Sequence, residues 1–191
     1  MKRQLLAMLS IAAVLAASPA WAKHEDVKNF RSEQHANKKE HFLGQRAENK
    51  EFRQGLQGME KDQKIAAVKA HRDQQFGENQ AFRESQHEKR KLFMDKKLDA
   101  NKKLTDEEKA KIRTQRDTQH SENVAFRTER HEENKSKMDA ILNDESLTKE
   151  QKKEAIHALK EEQKIETKEH IKTQREENKA LRDEIKAAHQ S

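Results

Sequence analysis

The sequence predicts an all-α protein: about four long helices folded into elongated antiparallel hairpins, with a thin core and no β-sheet. Three observations carry that prediction. Beyond residue 22 the chain has no Pro and no Tyr, only four Gly, and is dominated by Glu, Lys, Gln, Arg and Ala, a composition that suits long helices. Two Leu-Thr segments each carry a Gln or Glu three residues after the Thr, which is the signature of a helix start. Finally, one unit is written twice, over residues 72–112 and 116–156, and a repeat of this size marks a repeated supersecondary element. The low hydropathy would also suit a disordered chain, but charge of both signs is finely mixed and the helix caps are present.

Residues 1–22 read as a cleaved signal peptide rather than as part of the fold. Lys2 and Arg3 open it, Leu5 to Ala17 is apolar apart from Ser10, and Ala20-Trp21-Ala22 is a small-x-small cleavage site. The apolar run is too short to span a membrane stably. The expected address is the periplasm, with no stable membrane insertion. Residues 1–22 hold two of the 41 basic residues, so 39 remain against 35 acidic ones. Such a balanced, exported chain is not expected to bind nucleic acid. The absence of Cys excludes disulfides and thiol chemistry.

Residues 23–191 form a single expected helical region. A first helix runs from Lys23 to Arg53 and stops at Gly55-Leu-Gln-Gly58, where glycine gives easy access to positive φ. A second runs from about Met59 to about Leu98, with Gly77 as a bend or close-packing point. The third starts at Thr105, capped with Glu108, and ends near Leu142. The fourth starts at Thr148, capped with Gln151, and runs to the C-terminus. Asp106 and Glu107 suit the positive end of the third helix. The apolar stripe is thin: between Ile112 and Met138 only Val124, Ala125 and Phe126 are available. Such a seam can hold a hairpin but not a thick core, and a homodimer is one way to complete it.

Within the repeat, Glu-Asn-x-x-Phe-Arg occurs once in each copy, at 78–83 and 122–127, and outside the repeat at 48–53 and, with Leu181 for Phe, at 177–182. A degenerate copy covers 26–31. On a helix the Asn and Arg are four apart and can pair, as in Asn79 with Arg83. The Phe is then a packing knob that sets register, or part of a contact surface for another chain. Phe30 and Phe52 are 22 apart, Phe82 and Phe126 are 44 apart, and Phe126 and Leu181 are 55 apart. All are multiples of 11, which is close to three helical turns. The step from Phe52 to Phe82 breaks the series.

Ten His are spread along the chain without a His-x-x-His or His-x-x-x-His clamp. They read mainly as solvated surface residues. A pH-sensing role is open to them, since His titrates near pH 6.5. No nucleophile–base set, phosphate loop or dense metal site is written, so no enzyme and no cofactor are expected.

Leu104-Thr-Asp-Glu-Glu108-Lys-Ala-Lys-Ile112 and Leu147-Thr-Lys-Glu-Gln151-Lys-Lys resemble the Leu-Thr-x-x-Gln motif of the Spy/CpxP family of small periplasmic helical proteins. The second copy, Leu147, Thr148 and Gln151, matches fully. The first, Leu104, Thr105 and Glu108, has Glu for Gln. The close spacing of the copies and the extra repeats depart from the family pattern. The resemblance implies an ATP-independent chaperone or envelope-stress accessory protein that binds unfolded proteins on an amphiphilic helical surface. On that reading the expected client contacts are Phe42, Phe52, Phe76, Phe82, Phe93 and Phe126, with Arg53, Arg83 and Arg127. The alternatives are a metal-binding or metal-sensing periplasmic protein using His and carboxylates, or a structural coiled-coil adaptor.

Overall fold

The computed structural model describes residues 24–190, and the expected signal peptide at 1–22 lies outside the described residues. The chain is all-α, with no strand among the described residues. Helix α1 spans His24–Gly55, α2 Lys61–Ala100, α3 Asp106–Asn143 and α4 Lys149–Ala188. At 1.5 Å per residue the three longer helices are each roughly 60 Å long.

The starts of α2, α3 and α4 each have a local cause. Thr105 Oγ1 accepts the Glu108 N–H at 3.2 Å, and Glu108 Oε2 accepts the Thr105 N–H at 2.8 Å. Thr148 and Gln151 repeat the arrangement at the same two distances. Both expected capping boxes are therefore formed, and each satisfies two otherwise orphaned amides. The Thr105 N–H holds the Glu108 carboxyl below its ordinary value; burial opposes the shift, and the Thr105 hydroxyl and His189 add to it. At the start of α2, Gln63 reaches back to the Glu60 N–H at 3.4 Å.

The turn at 56–60 depends on Gly58, whose φ is +81°, a conformation open to Gly at little cost. Between α3 and α4, Asp144 Oδ1 accepts both the backbone N–H and the hydroxyl of Ser146, at 2.9 and 2.6 Å. Those bonds lower the Asp144 carboxyl pKa. Lys152 then donates to the Leu142 carbonyl at 2.8 Å, placing a cation at the α3 C-terminus. Gly77 is not a close-packing point: α2 runs through it, and a Cβ there would meet nothing within 4 Å.

The chain divides into two compact units. One is the α1–α2 hairpin, ending at Asn101; the other, from Lys102, is the α3–α4 hairpin. Both are antiparallel. On α1–α2, Phe30 meets Phe93, His41 meets Phe82 and Phe52 meets His71, so 11 residues up one helix match 11 down the other. On α3–α4, Lys111 pairs with Glu184 and Lys137 with Glu162, at 2.8 and 3.2 Å.

Apolar burial is as thin as the sequence implies. Among the described residues the buried apolar side chains are Met94, Leu98, Ile112, Leu159 and Ile185. Full burial contributes about 1.5–3 kcal/mol for each, far too little to order so long a chain by itself. Buried polar and charged residues outnumber them, among them Gln34, Gln86, Gln119 and Asn178. The hairpins are therefore held by polar and aromatic contacts along their seams.

Candidate functional site

The Glu-Asn-x-x-Phe-Arg copies lie on these seams. In each copy that has Phe, the Asn side chain turns back along its own helix. Asn49 Nδ2 donates to the Gln45 carbonyl at 2.7 Å, Asn79 to Gln75 at 2.7 Å and Asn123 to Gln119 at 2.6 Å. A carbonyl only accepts, so the NH2 end is fixed inward and Oδ1 is presented to the opposite helix.

There Oδ1 meets a histidine. His71 Nε2 lies 3.1 Å from Asn49, His41 3.0 Å from Asn79 and His170 3.2 Å from Asn123. Because Oδ1 can only accept, Nε2 carries the proton. The Phe three residues beyond each Asn stacks on the same imidazole. Ring centroids are 3.9 Å apart for Phe52 and His71, 4.0 Å for Phe82 and His41, and 4.2 Å for Phe126 and His170, with planes within 12°. Each imidazole is thus held at its edge and on its face. A hydrogen bond nets about 0.5–1.5 kcal/mol and an aromatic pair a similar amount, so one such clamp contributes about 1–3 kcal/mol.

The arrangement overturns two sequence expectations. The Asn amide is committed backwards and across the seam, not forwards to Arg83. His41, His71 and His170 are not solvated surface residues but half-buried seam members. Sequence reasoning missed them, although a signal exists. His41 and His71 lie eight residues before Asn49 and Asn79, and His170 lies eight before Asn178. The unit is really His-x3-Gln-x2-Glu-Asn-x2-Phe-Arg, complete at 41–53 and 71–83.

Two complete copies set antiparallel hold each other's histidine, so α1–α2 carries two reciprocal clamps. In α3–α4 only one forms. Where the second would be, Gln115 stands for His and Leu181 for Phe, and Gln115 donates to Glu177 at 3.2 Å instead. The middle of this seam is an amide network. Gln119 Nε2 donates to the Gln174 carbonyl and to Glu177, at 3.1 and 2.9 Å. Gln119 Oε1 accepts from Asn178 at 3.0 Å, and Gln174 Oε1 accepts from Asn123 at 2.9 Å. Burial lowers the His170 pKa first; Glu122 and Glu177 oppose the shift, and Arg127 adds to it. Arg130 covers the Phe126 ring and pairs with Glu166.

The expected client contacts fall into different places. Phe52, Phe82, Phe93 and Phe126 are half-buried ring partners in the seams. Phe76 is also half-buried, and Phe42 is 57% exposed. Arg53 is exposed, while Arg83 and Arg127 are half-buried; burial lowers the Arg83 pKa. Phe42 is joined by Leu43, 56% exposed. Lys38, Lys39, Glu40 and Arg46 are placed one turn away. Lys38 is itself half-buried, with its pKa lowered by burial and then by Arg90.

Among the described residues no three His, Asp or Glu are grouped so as to hold a metal ion. Nor is any described helix long and apolar enough to cross a membrane. In comparisons with family models, curated proteins and solved structures, nothing matches this chain.

Proposed function

We propose that the chain is a non-enzymatic periplasmic binding protein, acting as an ATP-independent chaperone or envelope-stress accessory protein for unfolded chains. The reading draws its address from Leu5–Ala17 and the Ala20-Trp21-Ala22 site, and its class from the two Leu-Thr caps. The observation that carries it is the outward pair Phe42 and Leu43 beside Lys38, Lys39 and Arg46. A large apolar pair in a mainly basic collar, with Glu40 the acidic member, suits capture that is steered by charge and held by weak apolar contact. The seam Phe residues then hold the hairpins in shape, and the contact role passes to Phe42, Leu43 and the exposed Leu92 and Ile165.

The test is light scattering from a denatured client at low salt, with the chain from Lys23 onward. An equimolar amount should slow aggregation, and Phe42→Ser with Leu43→Ser should remove most of the effect. No slowing at an equimolar ratio overturns the reading. The layered register of the seams favours a second reading, a structural coiled-coil adaptor. That reading expects one specific partner in a pull-down and no general suppression of aggregation.

A further inference from the structure

We propose that the α1–α2 hairpin exchanges helices between two copies of this chain, α1 of one copy seating on α2 of the other, while α3–α4 stays closed. The inference does not rest on what Phe42 and Leu43 bind.

The seam itself names the partner. Helix α1 offers His41 with Asn49 and Phe52, and α2 offers His71 with Asn79 and Phe82. An α1 from a second copy presents the same groups in the same register, so both clamps re-form between chains without a new contact. Pairing α1 with another α1 would keep the His–Asn–Phe clamps but lose the Phe30–Phe93 stack at 4.1 Å and the Asp26–Lys97 pair at 3.0 Å. The α1–α2 combination is therefore the one an exchanged dimer would keep.

The closed hairpin also opens at low cost. Gln45 and Gln75 occupy the positions that Gln119 and Gln174 take in α3–α4, yet both Nε2 atoms are buried without a hydrogen-bond partner. Eleven residues further from the turn, Gln34 is 7% exposed with neither amide atom paired, and Gln86 is 4% exposed with Oε1 unpaired. Buried polar groups left unpaired lower the cost of separating α1 from α2, and they are stranded alike in the closed and the exchanged seam. The turn itself is unstrained, because Gly58 takes its positive φ at little cost, so the closed form depends on glycine at this one position. Exchange of an identical element through a hinge is a low-cost route to a dimer. The α3–α4 turn is instead tied by Asp144, Ser146 and Lys152, and its Gln119–Gln174 layer is saturated.

The chain has no Cys, so introduced thiols report cleanly. Full-length chains carrying Glu33→Cys and, separately, Lys89→Cys are mixed and treated with a short bis-maleimide. These exposed side chains face each other across α1–α2 at 3.9 Å. Chains carrying Lys111→Cys and Glu184→Cys, which face each other at 2.8 Å across α3–α4, are the control. Exchange gives a Glu33→Cys/Lys89→Cys heterodimer well above either homodimer, and none above background for the control pair. Adding Gly58→Ala to both partners should raise the heterodimer about fivefold, since an Ala at positive φ burdens only the closed turn. A heterodimer no more abundant than the homodimers, an equal yield from the control pair, or no rise with Gly58→Ala overturns the proposal.

Discussion

The two hairpins use one motif and hold themselves together differently. The α1–α2 seam has two imidazole clamps and a Phe–Phe stack, but its glutamine amides are stranded. The α3–α4 seam has one clamp, and its central Gln119, Gln174, Asn123 and Asn178 amides bond to one another or to backbone. Rings make contact at centroid separations near 4 Å with broad geometric tolerance. Amides reward only close, directed approach. The difference teaches that rings set which residues face each other, while amides decide how tightly the helices close.

The largest expected effect comes from removing rings. Phe126→Ala takes away the only clamp ring on α3–α4 and should destabilise that hairpin by about 2 kcal/mol, below the value for a fully buried Phe because the ring is half-buried. Phe52→Ala should cost α1–α2 less, since Phe82 and the Phe30–Phe93 stack remain. Peptide-resolved hydrogen exchange reads the hairpins separately, and equal losses would undo the contrast.

The amides give a change of sign. Gln34→Leu with Gln86→Leu removes stranded polar atoms and should stabilise α1–α2 by about 1–3 kcal/mol. Gln119→Leu should destabilise α3–α4 by about as much, because it leaves Asn178 without its acceptor. Slowed exchange in α1–α2 and quickened exchange in α3–α4 is the expected pair of results.

The smallest effect is in pH. The folded pKa of His170 lies below its ordinary value because burial disfavours the imidazolium. The stability this contributes is fully present above the unfolded histidine pKa, near 6.5, and is lost as pH falls through and below it. Urea unfolding between pH 7.5 and 5 should show α3–α4 weakening, and His170→Gln should flatten that slope.

Much of the fold was legible because its signals are local. Thr105 and Thr148 announce α3 and α4 within five residues of chain, and Gly58 marks the first turn. The seam was less legible because its partners lie across a turn. The 11-residue spacing from Phe30 through His41 to Phe52 continues as His71, Phe82 and Phe93, but the turn resets the count and a change of ring type hides the series. His residues in a charged chain look solvated, and only a facing Asn and Phe reveal otherwise. Buried glutamines such as Gln34 carry no sequence mark, since the same residue type serves on the exposed face.

The 11-residue layering also makes the α1–α2 hairpin a ruler. Eleven residues advance a helix by about 16 Å and return nearly the same face to the seam. Removing one block from α1 and the matching block from α2 would shorten the hairpin by that step and leave every remaining ring facing its partner. Reach, in such a design, comes in fixed increments and can change without re-inventing the contacts.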